Sequence, residues 1–414
     1  MADSVNSTTD DFKETEFGPI PPDWDVTTLG RVAELSLGRT PARKEAQYWV
    51  QGTVPWVAIR DLNNGVVTRT AERISQHAFE KVMRHKIVPA GTLLLSFKLT
   101  IGKVGILGVD AVHNEAIVSV APHETKAHRD YLMFLLQWID YDAYLDTYVK
   151  GKTLNKRKLN LLRIPLPPLP EQRRIAHVLS TTQRGIEAQD KVIAAAKELK
   201  RSLMQRLFTY GPGREPAPTK ETEIGEIPEH WDVADLGDLV EVFDKLRIPV
   251  REEDRRRQKK IYPYCGANGI IDYVEDFIFD GEYLLLAEDG GHWDRFGRSS
   301  YLMAGKFWVN NHAHVLRAID GIATNKFLMY ALNYHDLSPH VGGDARGKIN
   351  QGVLKTIRLP LPALAVQATI AEMLSSADRI IAAEENRKVA LQDLSKSMLH
   401  QLMTGQVRVR DIEV

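Results

Sequence analysis

Residues 16–35, EFGPIPPDWDVTTLGRVAEL, return as residues 223–242, EIGEIPEHWDVADLGDLVEV, with the same amino acid at ten of twenty positions, among them Trp24/Trp231 and Gly30/Gly237. A second pair follows: residues 163–180, RIPLPPLPEQRRIAHVLS, return as 358–375, RLPLPALAVQATIAEMLS, with ten identities in eighteen positions. The offset between copies is 207 in the first pair and 195 in the second. The chain therefore reads A, B, A′, B′, a repeat on the scale of whole domains. The entrances of the A segments and the B segments agree, whereas the A interiors differ almost completely.

The B segments read as helices. A proline-rich extended run precedes each, Pro165 to Pro170 and Pro360 to Pro362, and fixes where a helix can begin. Helical spacing follows in Ile175, Val178, Leu179, Ile186, Val192, Ile193, Ala196, Leu199, Leu203 and Leu207. Ile370, Met373, Leu374, Ile381, Leu391, Leu394, Met398 and Leu402 form the second stripe. With no other apolar partner in sequence, the two helices are expected to pack together as an antiparallel coiled coil. About 38 residues at 1.5 Å each makes a rod of about 57 Å. The second start has Ala365-Val366-Gln367 where the first has Pro170-Glu171-Gln172, so one capping turn is expected to differ.

The A segments have short apolar runs, frequent glycine and alternating residues, the pattern of mixed α/β domains. Strands are expected at 54–60, 91–97, 104–109, 283–287 and 307–309. The expected class is α+β: two α/β domains separated by two long helices, with pseudo-two-fold internal symmetry. The boundaries are a disordered tail at 1–15, a first domain at 16–155, a helical spacer at 156–215, a second domain at 216–346 and a second spacer at 347–414.

Loops at strand ends carry the candidate contacts. In the first domain these are Arg39, Thr40, Arg60, Asp61, Asn63, Lys98, Thr100 and Lys103. In the second they are Asn268, Glu288, Asp289, His292, Arg295, Arg298 and Asn311, with Arg255, Arg256 and Arg257 in the run REEDRRRQKK. Arg, Lys and Asn read base edges in the major groove, and acidic side chains accept from cytosine.

Net charge is zero, but Lys plus Arg against Asp plus Glu counts 16 to 14 in residues 17–155, 13 to 5 in 156–215, 15 to 23 in 216–346 and 9 to 7 in 347–414. Neutrality thus conceals a basic middle and an acidic third quarter. The basic residues of the first helix, Arg173, Arg174, Arg184, Lys191, Lys197, Lys200, Arg201 and Arg206, suit phosphates, an acidic partner or plain solvation. The single cysteine, Cys265, excludes an internal disulfide and a thiolate zinc site. Apolar runs are strand-sized and residues 1–10 lack a signal core, so a cytoplasmic protein without a membrane anchor is expected.

Catalytic motifs are near misses. Gly342 to Lys348 fits a phosphate loop until Ile349 replaces the magnesium-binding Ser or Thr; Gly151-Lys152-Thr153 has Asp146 where the first glycine belongs. Both precede a B segment, which points to a common loop leading into the helix. Asp110 with Glu124 and Lys126 loosely resembles a nuclease centre. His312 and His314 alternate on a strand with no third metal ligand in register, which favours one buried and one exposed histidine and no metal. No Asn-Pro or Asp-Pro occurs, so a methylase base-gripping loop is missing.

The duplicated G-x-I-P-x-x-W-x-V-x-x-L-G entrance and the RIPLPPLPEQRRIA helix start resemble the specificity subunit of Type I restriction-modification enzymes. Further matches are Gly38-Arg39-Thr40-Pro41, Ile59 to Leu62, Leu95 to Lys103 and Tyr264 to Gly269. The resemblance spans nearly the whole chain. It implies a non-catalytic subunit whose two target-recognition domains each read half of an asymmetric, split site on double-stranded DNA. The helices would act as ruler and as docking frame for two modification (methyltransferase) subunits and the restriction (motor-nuclease) subunits. S-adenosylmethionine, ATP and Mg would then sit on those partners, with no cofactor on this chain. Competing readings are a metal- or nucleotide-dependent nuclease on the same scaffold and a coiled-coil scaffold without DNA contact.

Overall fold

The structure, a computed structural model, describes residues 12–148, 151–343 and 347–410. It divides into two compact units, Met1–Ala188 with Lys388–Val414, and Gln189–Arg387. This division cuts through both long helices, so the segments expected as spacers at 156–215 and 347–414 are each shared between the units.

In the first unit the order is β1 (Lys13–Thr15), β2 (Gly18–Ile20), β3 (Asp25–Thr28), α1 (Leu29–Val32), β4 (Ala33–Leu37), β5 (Val54–Val57), β6 (Val66–Val67), β7 (Glu72–Ile74) and α2 (Gln76–Lys81). Then come β8 (Leu93–Ser96), β9 (Val104–Leu107), β10 (Val112–His113), β11 (Ile117–Pro122), α3 (Arg129–Trp138), β12 (Asp146–Tyr148), β13 (Gly151–Thr153), α4 (Lys156–Asn160), β14 (Arg163–Leu166) and α5 (Leu169–Tyr210). A five-stranded sheet, β4-β11-β8-β9-β6, lies beside a three-stranded one, β10-β5-β7.

The second unit repeats this plan with β15 (Thr219–Thr222), β16 (Gly225–Pro228), β17 (Asp232–Asp235), α6 (Leu236–Leu239), β18 (Val240–Val242), α7 (Glu252–Arg257), β19 (Tyr262–Gly266), β20 (Gly269–Val274) and β21 (Phe279–Asp280). It continues through β22 (Tyr283–Ala287), β23 (Ser300–Met303), β24 (Lys306–Val309), β25 (Ala313–Ala318), α8 (Asn325–Tyr334), α9 (Gln351–Lys355), β26 (Arg358–Leu361) and α10 (Leu364–Met403). Its sheets, β18-β25-β22-β23 and β20-β19-β24-β21, match those of the first unit strand for strand at their centres.

The two repeated sequence blocks meet in space. The entrance strand pairs antiparallel with the strand before the long helix, β3 with β14 from Arg163↔Thr28 to Leu166↔Asp25, and β17 with β26 from Asp232↔Leu361 to Asp235↔Arg358. Gly30 and Gly237 permit the next contact, because a β-carbon there would lie 2.6 Å from Asn160 Oδ1 or 2.9 Å from Lys355 Cβ. The short helices α4 and α9 are started alike, Asn155 Oδ1 accepting from Lys158 N at 2.9 Å and Asn350 Oδ1 from Val353 N at 3.0 Å.

Each core joins the start of one long helix to the end of the other. Trp24, Leu29 and Ile164 pack with Ile175 and Leu179 of α5 and with Leu402 and Met403 of α10. Trp231, Leu236 and Leu359 pack with Ile370 and Leu374 of α10 and with Leu207 and Phe208 of α5. The helices therefore run antiparallel, as their stripes imply. Across them, Gln189 Nε2 donates to Glu384 Oε2 at 2.6 Å, while Lys197 pairs with Glu385 and Lys200 with Asp378, both at 2.6 Å.

Three boundaries differ from expectation. The tail expected at 1–15 is structured from Lys13, where β1 pairs with β2; residues 1–11 lie outside the described residues. Lys13-Glu14-Thr15-Glu16 returns as Lys220 to Glu223, and each copy opens a hairpin turned by a left-handed glycine, Gly18 or Gly225. The strand expected at 54–60 stops at Val57, because the Asp61 carboxylate accepts from Ala58 N at 2.8 Å and closes a 3-10 turn at Ile59–Asp61. Continuous spacer helix begins only at Leu169 and Leu364, since α4 and β14, like α9 and β26, belong to the folded units.

The helix starts agree despite Glu171/Val366. Buried Gln172 donates through Nε2 to Pro167 O at 2.8 Å and Lys126 O at 3.0 Å and accepts from His128 N at 2.8 Å. Buried Gln367 makes the same three bonds with Pro362 O, Ile322 O and Thr324 N, at 2.9, 3.0 and 3.0 Å.

Candidate nucleic-acid interface

In the first unit, the ends of β4, β5, β8 and β10 and the starts of β9 and β11 lie at one end of the sheets, and backbone hydrogen bonds tie their loops together. Arg39 N donates to His113 O at 2.9 Å, Asn114 N to Val57 O at 3.1 Å, Phe97 N to Ala116 O at 2.9 Å and Asn64 N to Val104 O at 3.0 Å. Gly38 lies so close to the His113 and Asn114 carbonyls that a β-carbon would come within 2.2 Å of both. Arg39, Thr40, Asn63, Lys98, Thr100 and Lys103, scattered over 65 positions from 39 to 103, thus gather on one surface.

Within that surface the side chains have different duties. Thr40 Oγ1 donates to Glu115, Arg39 Nη1 to Val82 O at 2.9 Å, and Asn63 Oδ1 accepts from Gly65 N at 3.1 Å. Arg60 is exposed but its Nη2 bonds Glu72 at 2.7 Å, a carboxylate it shares with Arg43. The Arg43 guanidinium next to Glu72 holds that carboxyl below its usual range. Asp61 is corrected from a base acceptor to a turn former: its two oxygens accept from Ala58 N and from Ala71 N at 3.0 Å.

The second unit gathers a corresponding set. Asn310 N donates to Cys265 O at 3.0 Å, as Asn114 N does to Val57 O, and Glu288 N donates to His312 O at 2.8 Å. Asn268 Nδ2 reaches Gly290 O at 2.9 Å, and His312 Nδ1 faces Asp289 at 2.8 Å. Asn268, Asp289 and Asn311 therefore share one end of the sheets, and His292 is exposed on the β22–β23 connection that leaves it. Arg298 is exposed on the β22–β23 connection. Arg295 turns to the α8 end, bonded to the Tyr334 hydroxyl with its guanidinium 4.6 Å from that ring.

Two candidates serve as internal supports. Glu288 is buried and binds Arg247 Nη1 at 2.5 Å and Lys348 Nζ at 2.6 Å. Burial pushes its carboxyl up, but hydrogen bonds from Lys348 and Arg247 outweigh that and hold it below its usual value. Arg255 donates to Asp272 Oδ2 at 2.9 Å and Val250 O at 2.5 Å and lies over Tyr264. It anchors α7 to β20, while Arg256 and Arg257 remain on the exposed side of that helix. Sequence cannot reveal the ion pairs, because their partners stand 17 to 60 residues away.

The near misses resolve into structure. Lys348 pairs with Glu288, and Gly342 and Lys348 exchange backbone hydrogen bonds of 3.0 and 2.9 Å, so this lysine is part of a bridge before α9; residues 344–346 lie outside the described residues. Gly151–Thr153 is strand β13, paired with β12. Asp110 accepts from Ala90 N at 2.8 Å as a turn brace, and Lys126 Nζ reaches Arg31 O at 3.4 Å. His314 is buried between Asp244 Oδ2 at 2.6 Å and Ile349 O at 2.8 Å, whereas the His312 side chain is 43% exposed. Among the described residues no three His, Cys, Asp or Glu side chains are grouped to hold a metal, and no helix is long and apolar enough to cross a membrane.

The duplicated frame has a counterpart among known proteins. The profile of a family described as Type I restriction modification DNA specificity domain matches residues 21–197 and again 228–393. The chain belongs to this family. Such specificity chains confer sequence recognition and not catalysis. Relatives named as specificity subunits include that of the type I restriction enzyme MjaVIII of Methanocaldococcus jannaschii, 26% identical with 97% of each chain covered. That of EcoprrI from Escherichia coli is 24% identical, with 85% of this chain and 87% of that one covered. The fold is that of the type I restriction-modification S subunit from M. genitalium, with TM-score 0.55 and 13% identity over 92% of this chain and 96% of that one. A chain from a structural study of type I R-M assembly and conformational transition gives TM-score 0.57 and 18% identity over 94% and 99%.

Proposed function

We propose that each unit of this specificity chain reads one half of a split, asymmetric DNA site through the loop cluster at the end of its sheets. The observation that carries this reading is the contrast between matched frames and mismatched clusters. Equivalent backbone bonds, Asn114 to Val57 and Asn310 to Cys265, hold loops whose side chains are basic and hydroxylic in one unit and His, Asp and Asn in the other. A matched pair would favour a palindrome; these differ, so the half-sites differ.

Catalysis then belongs to partner chains. Two modification subunits and the motor-nuclease subunits would supply S-adenosylmethionine, ATP and Mg, with the paired helices α5 and α10 as docking frame and ruler. Lys197 and Lys200 are already spent on α10 carboxylates, Arg201 pairs with Glu198 and Arg184 donates to Thr181 Oγ1, which leaves exposed Arg173 and Lys191 of α5 as the basic groups most available to a partner. The test is to express the chain with its modification subunits and map methylated bases. One split motif with a fixed gap is expected, and exchanging residues 25–166 for those of a relative should change only one half. A continuous motif would sink the proposal.

A further inference from the structure

Six non-glycine residues among those described have left-handed backbone, and only Leu99 and Phe296 of these are large and apolar. They occupy equivalent connections, β8 to β9 and β22 to β23. Left-handed φ is unfavourable for any residue with a β-carbon and persists only where the surrounding structure imposes it; for a bulky side chain the cost is partly offset by a packing contact. Phe296 (φ +65°) has one inside the fold, its ring centroid 5.5 Å from that of Tyr334 in an edge-on contact. Leu99 (φ +64°) has none among the described residues: it is 83% exposed, the highest value among their exposed large apolar side chains.

The loop that carries Leu99 is held firmly. Ser96, fully buried, donates through Oγ to Thr100 O at 2.6 Å and accepts from Lys103 N at 3.0 Å. Gly102 N reaches Ser96 O at 3.0 Å, and its own left-handed φ of +85° completes the turn. Leu99 is therefore a pre-positioned apolar tip between Lys98 and Thr100, at the same end of the sheets as Arg39 and Asn63.

We propose that Leu99 is a specificity-determining residue that contacts the C5-methyl group of a thymine in the half-site read by the first unit. Leucine offers no hydrogen bond, and the thymine methyl is the one apolar mark by which a base pair is distinguished in the major groove. Lys98 and Thr100 flank it with donors for phosphate or base acceptors. This inference rests on the DNA-reading role proposed above.

The experiment uses the full chain assembled with its modification subunits and duplexes carrying the mapped site, with each thymine of the first half-site replaced in turn by deoxyuridine, which lacks only the methyl. For the unmodified chain one replacement should weaken binding about fourfold, the equivalent of one buried methyl. In Leu99→Gly, which relieves the backbone strain and should not lower the melting temperature, and in Leu99→Ala, that replacement should have no further effect. Equal deoxyuridine sensitivity in all three proteins, no sensitive thymine, or a Leu99 effect that ignores the methyl, as a wedge between base steps would give, each overturns the inference. Failure of the unmodified assembly to prefer any sequence would instead remove the DNA-reading role itself.

Discussion

The two entrance tryptophans occupy the same place in the two units but have different neighbours. Trp24 Nε1 donates to Glu171 Oε2 at 3.1 Å, and that buried carboxylate is gripped by Arg408 through Nε and Nη2, both at 2.7 Å. Arg408 also reaches Asp23 at 2.8 and 3.0 Å, and the guanidinium holds the Asp23 carboxyl below its usual value. In the second unit Val366 stands where Glu171 does, and Trp231 Nε1 is buried with no partner among the described residues. The first unit thus closes its core with an ion cluster that the second replaces by apolar packing. A duplicated frame tolerates either solution because the glutamine beside it, not the variable residue, anchors the helix.

Breaking the ion cluster should give the largest asymmetry. Arg408→Leu leaves Glu171 buried without its cation and should destabilise the first unit by about 3–5 kcal/mol, whereas adding Glu171→Val, the second unit's own residue, should restore most of that. Hydrogen exchange resolved by unit is the measurement, because a two-unit chain need not unfold in one step. Equal loss of protection in both units would contradict the contrast.

A pH titration should instead show the units behaving alike. Burial pushes the imidazoles of His113 in the first unit and His335 in the second down to about 4. Both are neutral when folded, so the unfolded chain takes up the proton first: their stabilisation is complete above pH 6.5 and is lost as pH falls toward 4. Each contributes up to about 3 kcal/mol. His113→Leu or His335→Leu should flatten the decline in its own unit; an unchanged slope would refute the assignment.

The anchoring glutamines sharpen the same point. Gln172→Ala and Gln367→Ala each strand one buried N–H and two carbonyls and should cost about 2–3 kcal/mol, equally in the two units, by the same exchange measurement. Clearly unequal losses would show that the helix starts are not equivalent.

The smallest expected effect concerns α7, which only the second unit has at its place. Arg256→Gln and Arg257→Gln should lower the slope of log affinity against log salt by about 1 for each phosphate that is no longer neutralised. Arg255→Gln should lower the melting temperature of the second unit and leave that slope unchanged. A slope unaffected by all three would take α7 away from the DNA.

Much of the architecture was legible in the sequence. Heptad-like stripes following proline runs marked α5 and α10, and the repeated blocks announced two similar units, because helix periodicity and proline restriction are local properties. The hairpin at Lys13 also had a signal, the second copy of Lys-Glu-Thr-Glu. What local pattern does not encode is which polar side chains are spent inside the fold. Glu288 and Arg255 have the composition of readers, yet Lys348 and Asp272, far away in sequence, hold them.

By itself, then, the sequence determined a duplicated frame of helices and mixed domains and placed the variable residues between constant ones. Only the tertiary structure decided that loops 38–40, 63–64 and 96–103 form one surface, that Arg408 closes the core around Trp24, and that Leu99 stands strained and exposed. The reason is physical: the first two outcomes depend on hydrogen bonds and ion pairs between residues tens to hundreds of positions apart, whose energies exist only once the chain has brought them together, and the third on an exposure that only the finished fold sets.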